Sequence, residues 1–175
     1  LSKVVAANGG FYASHIRGED HDSLLDSIRE AIKIGREAGL PAHISHLKAS
    51  GPKAWGMMPQ ACKLIEHARA EGLAVTADQY PYIASSTNLA AMAVPSEERE
   101  GGNDVLAKRL QDTENSTALK ERIAKTLAER GGGKTIRIAS YSKHTAWQGK
   151  SLVEIAEAEG REVLDIAIEI LSNGG

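Results

Sequence analysis

The stretch from Phe11 to Leu47, FYASHIRGEDHDSLLDSIREAIKIGREAGLPAHISHL, carries the pattern that decides the fold. Phe11-Tyr-Ala-Ser-His-Ile16 follows Gly9-Gly10 and is β-like in composition. Over Asp22–Glu37 the period changes. Leu25, Ile28, Ile32 and Arg36 follow three- and four-residue steps, and Leu24 and Ala31 widen that stripe into one buried helix face. Asp22 or Ser23 can cap its start, and Gly39 sits where a left-handed C-terminal residue is wanted. Pro41 prevents continuation, and Ala42–Leu47 reads as a second short strand. The rhythm then repeats. Pro59–Glu71 is helical, with Ala61, Leu64, Ile65 and Ala68 on one side, Gly72 closes it, and Leu73–Asp78 is a third strand. Strands alternating with helices at this spacing predict parallel βαβ units.

The second half reads differently. Arg99-Glu-Gly-Gly-Asn103 breaks the chain, and charged helices are expected at about Asp104–Gln111 and Thr117–Arg130. Gly131-Gly-Gly133 is a turn, and Thr135–Tyr141 is expected as a strand with Ile136 and Ile138 facing one way. Ser151-Leu-Val-Glu154 fits a capping box, and Glu162–Ser172 a last helix with Leu164, Ile168 and Leu171 as its stripe. A boundary within Ser86–Pro95 divides the chain into residues 1–88 and 89–175, the latter an α/β subdomain.

Composition bounds the function. Of 175 residues, 42% are hydrophobic and 25% charged, as expected of a globular protein, while aromatics at 4% leave the core to Ala, Ile, Leu and Val. Lys+Arg 21 against Asp+Glu 23 provides no basic field for a nucleic-acid backbone. No apolar run approaches the roughly 20 residues that span a bilayer, so no membrane partner is expected. The lone Cys62 cannot form an internal disulfide, which fits a reducing compartment and a cytoplasmic location. The chain opens on Leu1 and closes on Gly174-Gly175 just after a helical pattern, which is expected of a processed protein or a piece of a longer one.

In parallel α/β structures, ligands gather at the carboxyl ends of the strands. Here these ends carry Ser14-His15-Ile16-Arg17-Gly18-Glu19, Ser45-His46-Leu47-Lys48 and Asp78-Gln79-Tyr80-Pro81-Tyr82. His15 and His46 occupy equivalent positions on successive strands, which lie roughly 4.8 Å apart, so both imidazoles can hold one metal ion. The competing reading is an ordinary hydrogen-bonded histidine at each strand end. His43 is a rival ligand, although alternation puts it opposite His46. Arg17 and Glu19 either orient a histidine or pair with each other, and Asp78 either reaches the site or caps a turn. Lys48, in a glycine-rich loop, reads as solvated on its own. Trp55 and Met57-Met58 either line a pocket or pack their loop onto the rim. Cys62 is expected as a buried thiol, and His21, His67 and His144 as surface residues. Gly131-Gly-Gly-Lys134-Thr135 lacks the earlier glycine of a phosphate loop, Ala128 standing in its place.

Three of these segments, Ala13-Ser-His-Ile-Arg-Gly-Glu19, Ile44-Ser-His-Leu-Lys48 and Ala77-Asp-Gln-Tyr-Pro-Tyr-Ile-Ala-Ser-Ser-Thr87, resemble the D-aminoacylase (N-acyl-D-amino-acid deacylase) family of the amidohydrolase superfamily. Trp147-Gln-Gly-Lys-Ser-Leu-Val-Glu-Ile-Ala156 is similar to a segment of the small subdomain these enzymes insert into their barrel. The resemblance implies a zinc-dependent hydrolase on a (β/α)8 TIM barrel, with an N-acyl-D-amino acid as its small-molecule partner. It further implies zinc-binding roles for His15 and His46, substrate-binding roles for Lys48, Tyr80 and Ser86, and a catalytic hydroxyl on Tyr80. Such a tyrosine can donate to a carbonyl oxygen that gains charge, while Lys48 and Ser86 can hold a carboxylate. The family's His-x-His pair, its metal-ligand cysteine and its catalytic aspartate have no match here. The resemblance thus implies about strands four to six of the barrel plus much of the inserted subdomain, a fragment inactive alone, with open sheet edges through which it self-associates. Two rivals remain: a fragment of a cyclic-amide hydrolase of the hydantoinase or dihydropyrimidinase kind, and a non-catalytic structural module.

Overall fold

The computed structural model describes residues 1–112 and 114–174. They form two compact units, Leu1–Ile83 and the chain from Ala84 onward.

In the first unit, helix α1 (Ser2–Ala7) precedes β1 (Tyr12–Ser14), α2 (Leu24–Ala38), β2 (Ala42–Ile44), α3 (Met58–Ala70) and β3 (Val75–Ala77). The strands form one parallel sheet in the order β1-β2-β3, with Tyr12 beside Ala42 and Ala42 beside Val75. The strand–helix–strand reading therefore holds, but each strand is three residues long rather than six. Pairing ends because the chain turns out of the sheet at Ser45-His46, as described below. Helix α1 has no counterpart in the sequence reading; it buries none of its residues, so no apolar stripe announces it.

Helix α2 buries Leu24, Ser27, Ile28, Ala31, Ile32 and Gly35. Arg36, expected on that stripe, faces solvent and pairs with Glu71 instead, and Gly35 takes the inner place. The reason is proximity: a Cβ at position 35 would stand 3.0 Å from the Ala42 side chain, so the helix lies on β2 only where it lacks one. Gly39 ends α2 at φ 68°, and the N–H of Leu40 just beyond it donates to the Gly35 carbonyl at 3.1 Å. At the other end the cap is Asp20, whose Oδ1 accepts from Asp22 N, Ser23 N and Ser23 Oγ.

Ile44 and Val75 join Leu24, Ile28, Ile32, Ala61 and Ile65 in one core between the sheet and the two helices. The opposite sheet face carries Ala13, His43 and Thr76, which sit side by side in register, and none of the three is buried. Cys62 is exposed, contrary to the expected buried thiol, because α3 turns Ala61, Ile65 and Ala68 inward and leaves position 62 outside.

The second unit contains α4 (Leu89–Ala93), α5 (Asn103–Gln111), α6 (Thr117–Glu129), α7 (Leu152–Glu159) and α8 (Val163–Ser172). It is helical, not the expected α/β subdomain: among its described residues no strand forms. Thr135–Tyr141 buries Ile136 and Ile138 as anticipated, yet Thr135 lies in a turn, Ala139 in a bend, and only Arg137 makes a bridge, to Ser151. Its sole partner segment turns into α7 at Ser151, which stops the ladder. Helix α8 centres its buried face on Ile166, Ala167, Ile170 and Leu171, with Leu164 and Ile168 at its margin.

The capping box is present as read. Ser151 Oγ accepts from Glu154 N at 3.2 Å, and Ser151 N donates to the Glu154 carboxylate at 2.6 Å. Ser151→Ala is therefore expected to destabilise this unit by about 1 kcal/mol, read as a lower urea midpoint with an unchanged slope. The Glu154 carboxyl lies below its ordinary range, held there first by the Ser151 backbone N–H. Its contribution is complete at neutral pH and fades as the pH falls through that lowered value. No helix among the described residues is long and apolar enough to cross a membrane.

Candidate metal and substrate site

The carboxyl ends of β1 and β2 bring two imidazoles together. His15 directly follows β1, and His46 lies two residues beyond β2. His15 Nδ1 and His46 Nε2 are 2.7 Å apart, and the rings meet edge to face with centroids at 4.5 Å. A metal held by both at about 2.0–2.1 Å needs its two nitrogens about 3.3 Å apart in tetrahedral geometry, so a small outward motion of exposed rings admits the ion.

His46 reaches this position through its backbone. Its φ of 41° makes it the one non-glycine residue at positive φ among those described. Such a conformation costs of order 1–3 kcal/mol and persists where surrounding contacts hold it. Strict alternation would have carried His46 to the face of Ile44, inside the apolar core. The left-handed residue shifts the pattern by one, so that Leu47 is buried beside Ile44 and His46 turns to His15.

Asp78, next after β3, holds that turn. Its carboxylate accepts from His46 N, its carbonyl from Leu47 N at 2.9 Å, and its own N–H donates to the Ile44 carbonyl at 3.2 Å. The second carboxylate oxygen lies 3.0 Å from His43 Nε2, and His43 Nδ1 lies 2.8 Å from Thr76 Oγ1. The His43 contact, and after it the His46 N–H, lowers the Asp78 carboxyl below its ordinary range. Both readings of Asp78, turn cap and site residue, thus describe one carboxylate. His43 is directed at Thr76 and Asp78.

Glu19 completes the cluster: His15, Glu19 and His46 each offer a ligand atom within 4.8 Å of the others. Its Oε1 stands 3.2 Å from His46 Nδ1 and 2.5 Å from Lys48 Nζ. The ring nitrogens of an imidazole point to opposite sides. A carboxylate at Nδ1 therefore orients the ring, while Nε2 faces His15. Of the two readings for Arg17 and Glu19, mutual pairing does not occur: Arg17 pairs with Glu30 at 2.8 Å. Lys48 is not the solvated loop lysine of the simpler reading. Its side chain is 20% exposed, and Nζ also lies 3.0 Å from His46 Nδ1 and 3.2 Å from the His46 carbonyl.

Tyr80 is half-buried, with its ring centroid 5.9 Å from Lys48 Nζ and Tyr82 stacked beside it. Ser86 belongs to the second unit, where it is exposed and lines a cavity of about 650 Å³ with Asn88, Arg137 and Gln148. Trp55 is exposed and Met57 and Met58 pack on the first unit's core. His21 and His67 are surface residues paired with Asp22 and Glu71. His144 is exposed, as expected of a surface residue, and is stacked on Trp147 at 4.2 Å and paired with Glu169 at 2.9 Å.

What sequence reasoning missed is the direct contact of Glu19 with both His46 and Lys48. The available signal was the spacing: a carboxylate four residues beyond the first histidine and a lysine two beyond the second. The donor set, two imidazoles with an orienting carboxylate, suits a divalent transition metal.

No protein-family model matches the chain. Among curated proteins, N-acyl-D-glutamate deacylase of Alcaligenes xylosoxydans xylosoxydans is 39% identical over 89 residues, which is 51% of this chain and 18% of that protein. D-aminoacylase of the same organism is 40% identical over 89 residues, again 51% and 18%. Among solved structures, N-acyl-D-glutamate deacylase of Bordetella bronchiseptica, complexed with zinc and a phosphonate that mimics the tetrahedral intermediate, matches with TM-score 0.68 and 28% identity. That match covers 97% of this chain and 28% of the other. A D-aminoacylase structure matches with TM-score 0.62 and 27% identity over 96% of this chain and 27% of its own. The chain therefore spans under a fifth of the curated relatives, at 18%.

Proposed function

We propose that this chain, related in sequence and in its α/β architecture to the D-aminoacylases, forms part of a zinc-dependent amidohydrolase that removes the acyl group from N-acyl-D-amino acids. The observation that carries this is the convergence of His15 and His46 from adjacent parallel strand ends to 2.7 Å, with Lys48 beside them. In this reading β1, β2 and β3 are about strands four to six of a (β/α)8 barrel. The uncovered row Ala13, His43 and Thr76 faces the barrel interior, and residues beyond about 88 form an inserted subdomain. The outer edges of β1 and β3 await neighbouring strands, and a chain with both edges open self-associates through them.

His15 and His46 hold the zinc, and Glu19 orients His46 from the far side of its ring. Zinc bound there supplies an acidified water and a polarised acyl carbonyl. Lys48 presents its ammonium to the substrate carboxylate, exchanging part of its pairing with Glu19 for that contact. The Tyr80 hydroxyl donates to the carbonyl oxygen as charge develops on it. Ser86 offers its hydroxyl to the same substrate carboxylate as Lys48.

Two histidines fall short of the three protein ligands usual in a catalytic zinc site, and a base to activate water is lacking among these residues. The 175-residue chain is accordingly expected to bind zinc without turning over substrate, whereas the polypeptide of the full reading frame hydrolyses N-acetyl-D-amino acids in a zinc-dependent way. Zinc titration of the chain and an amine-release assay on both polypeptides test this. A full-length protein with no zinc-dependent release from any N-acyl-D-amino acid would refute the proposal.

A further inference from the structure

We propose that Asp78 is a positioning residue for the metal-holding geometry of His46, its carboxylate locking the left-handed backbone that swings the imidazole toward His15. The inference rests on reading His15 and His46 as metal ligands, and it concerns what holds one of them in place.

Three backbone groups of the turn after β2 end on Asp78: the His46 N–H on its side chain, the Leu47 N–H on its carbonyl, and the Ile44 carbonyl on its N–H. The last two belong to the strand pairing and do not need a carboxylate. The first does, and it falls on the one non-glycine residue at positive φ among those described. The carboxylate is itself held from the other side, since His43 Nε2 contacts its second oxygen at 3.0 Å and Thr76 Oγ1 contacts His43 Nδ1 at 2.8 Å. His43 and Thr76 are register partners on β2 and β3, so the chain Thr76–His43–Asp78–His46 ties the turn to the rigid sheet. No atom of Asp78 need touch the metal for this role. A carboxylate that merely closed a surface turn would not require a histidine and a threonine from two strands behind it.

The test uses the chain with Asp78→Ala and Asp78→Asn. In the metal-free protein, the His46 amide proton is expected far downfield in an NMR amide spectrum, as for a donor to a carboxylate. It should move upfield in Asp78→Ala and return part of the way in Asp78→Asn, whose amide oxygen still accepts. In competition with a chromophoric chelator, zinc should bind about 10–100-fold more weakly to Asp78→Ala, with most of the loss recovered in Asp78→Asn. Urea midpoints of both variants separate this from general destabilisation, which would weaken zinc binding only where the native fraction falls. An unshifted His46 amide, or native zinc affinity in Asp78→Ala, would overturn the inference. If the unaltered chain takes up no zinc, the metal reading fails instead, and the amide signature alone decides whether Asp78 locks the turn.

Discussion

A chain carrying His46→Asn is expected to bind zinc more than about a hundred-fold more weakly than the native chain, and His15→Ala equally so, with the fold of both retained. The magnitude follows from ranking. Removing a group that only supports a ligand costs about 10–100-fold in affinity, and removing the ligand itself must exceed that. Asparagine is chosen at position 46 because it tolerates the left-handed backbone found there, so the loss is not confused with strain at φ 41°. His15 is exposed and outside the core, so alanine leaves no cavity. Chelator competition measures the affinity, and far-UV circular dichroism checks the fold. Native zinc stoichiometry in either variant would show that the two imidazoles meet for reasons other than a metal.

The second large effect is expected from Glu19→Ala, at about 10–100-fold in zinc affinity. Glu19 and Lys48 are 14% and 20% exposed, which sets their pairing apart from the surface ion pairs elsewhere in this unit. Taking the carboxylate away leaves the Lys48 ammonium 3.0 Å from His46 Nδ1 with nothing to balance it, beside the ring that must carry a cation on its other nitrogen. It also removes the acceptor that orients that ring. Glu19→Gln keeps the shape and an acceptor but not the charge, and should fall between the two. If Glu19→Ala and Glu19→Gln both bind zinc as the native chain does, Glu19 serves the loop and not the histidine.

The parts of this fold that were legible in the sequence are those fixed by local chemistry. The Asp22–Glu37 stripe, the Gly39 stop and the Ser151–Glu154 box each state their structure within a few residues, and all three appear. Strand ends were not legible, because they depend on a turn at His46 whose conformation is held by Asp78 across the sheet. The Thr135–Tyr141 segment failed as a strand for a similar reason: a strand needs a partner along its length, and its partner leaves after one bridge. At the site, the sequence put His15 and His46 at neighbouring strand ends, but His46 lies one residue further out than His15, and its left-handed backbone, which no pattern announced, brings the rings together. The Glu19–Lys48 pairing was not legible either, since alternation and spacing say where a side chain starts and not which of two nearby charges it chooses. Arg36 shows the same limit in a helix, where a glycine one position earlier took the inner place because β2 comes so close.

The two tryptophans are divided between the units and between environments. Trp55 is 70% exposed in the first, while Trp147 is 3% exposed in the second, stacked on His144 and donating from Nε1 to Glu159 at 3.1 Å. Intrinsic fluorescence therefore has two sources in different surroundings: a red-shifted emitter on the loop after the histidine turn, and a blue-shifted one buried in the second unit. Each unit carries its own optical reporter, so their melting can be followed independently without a label.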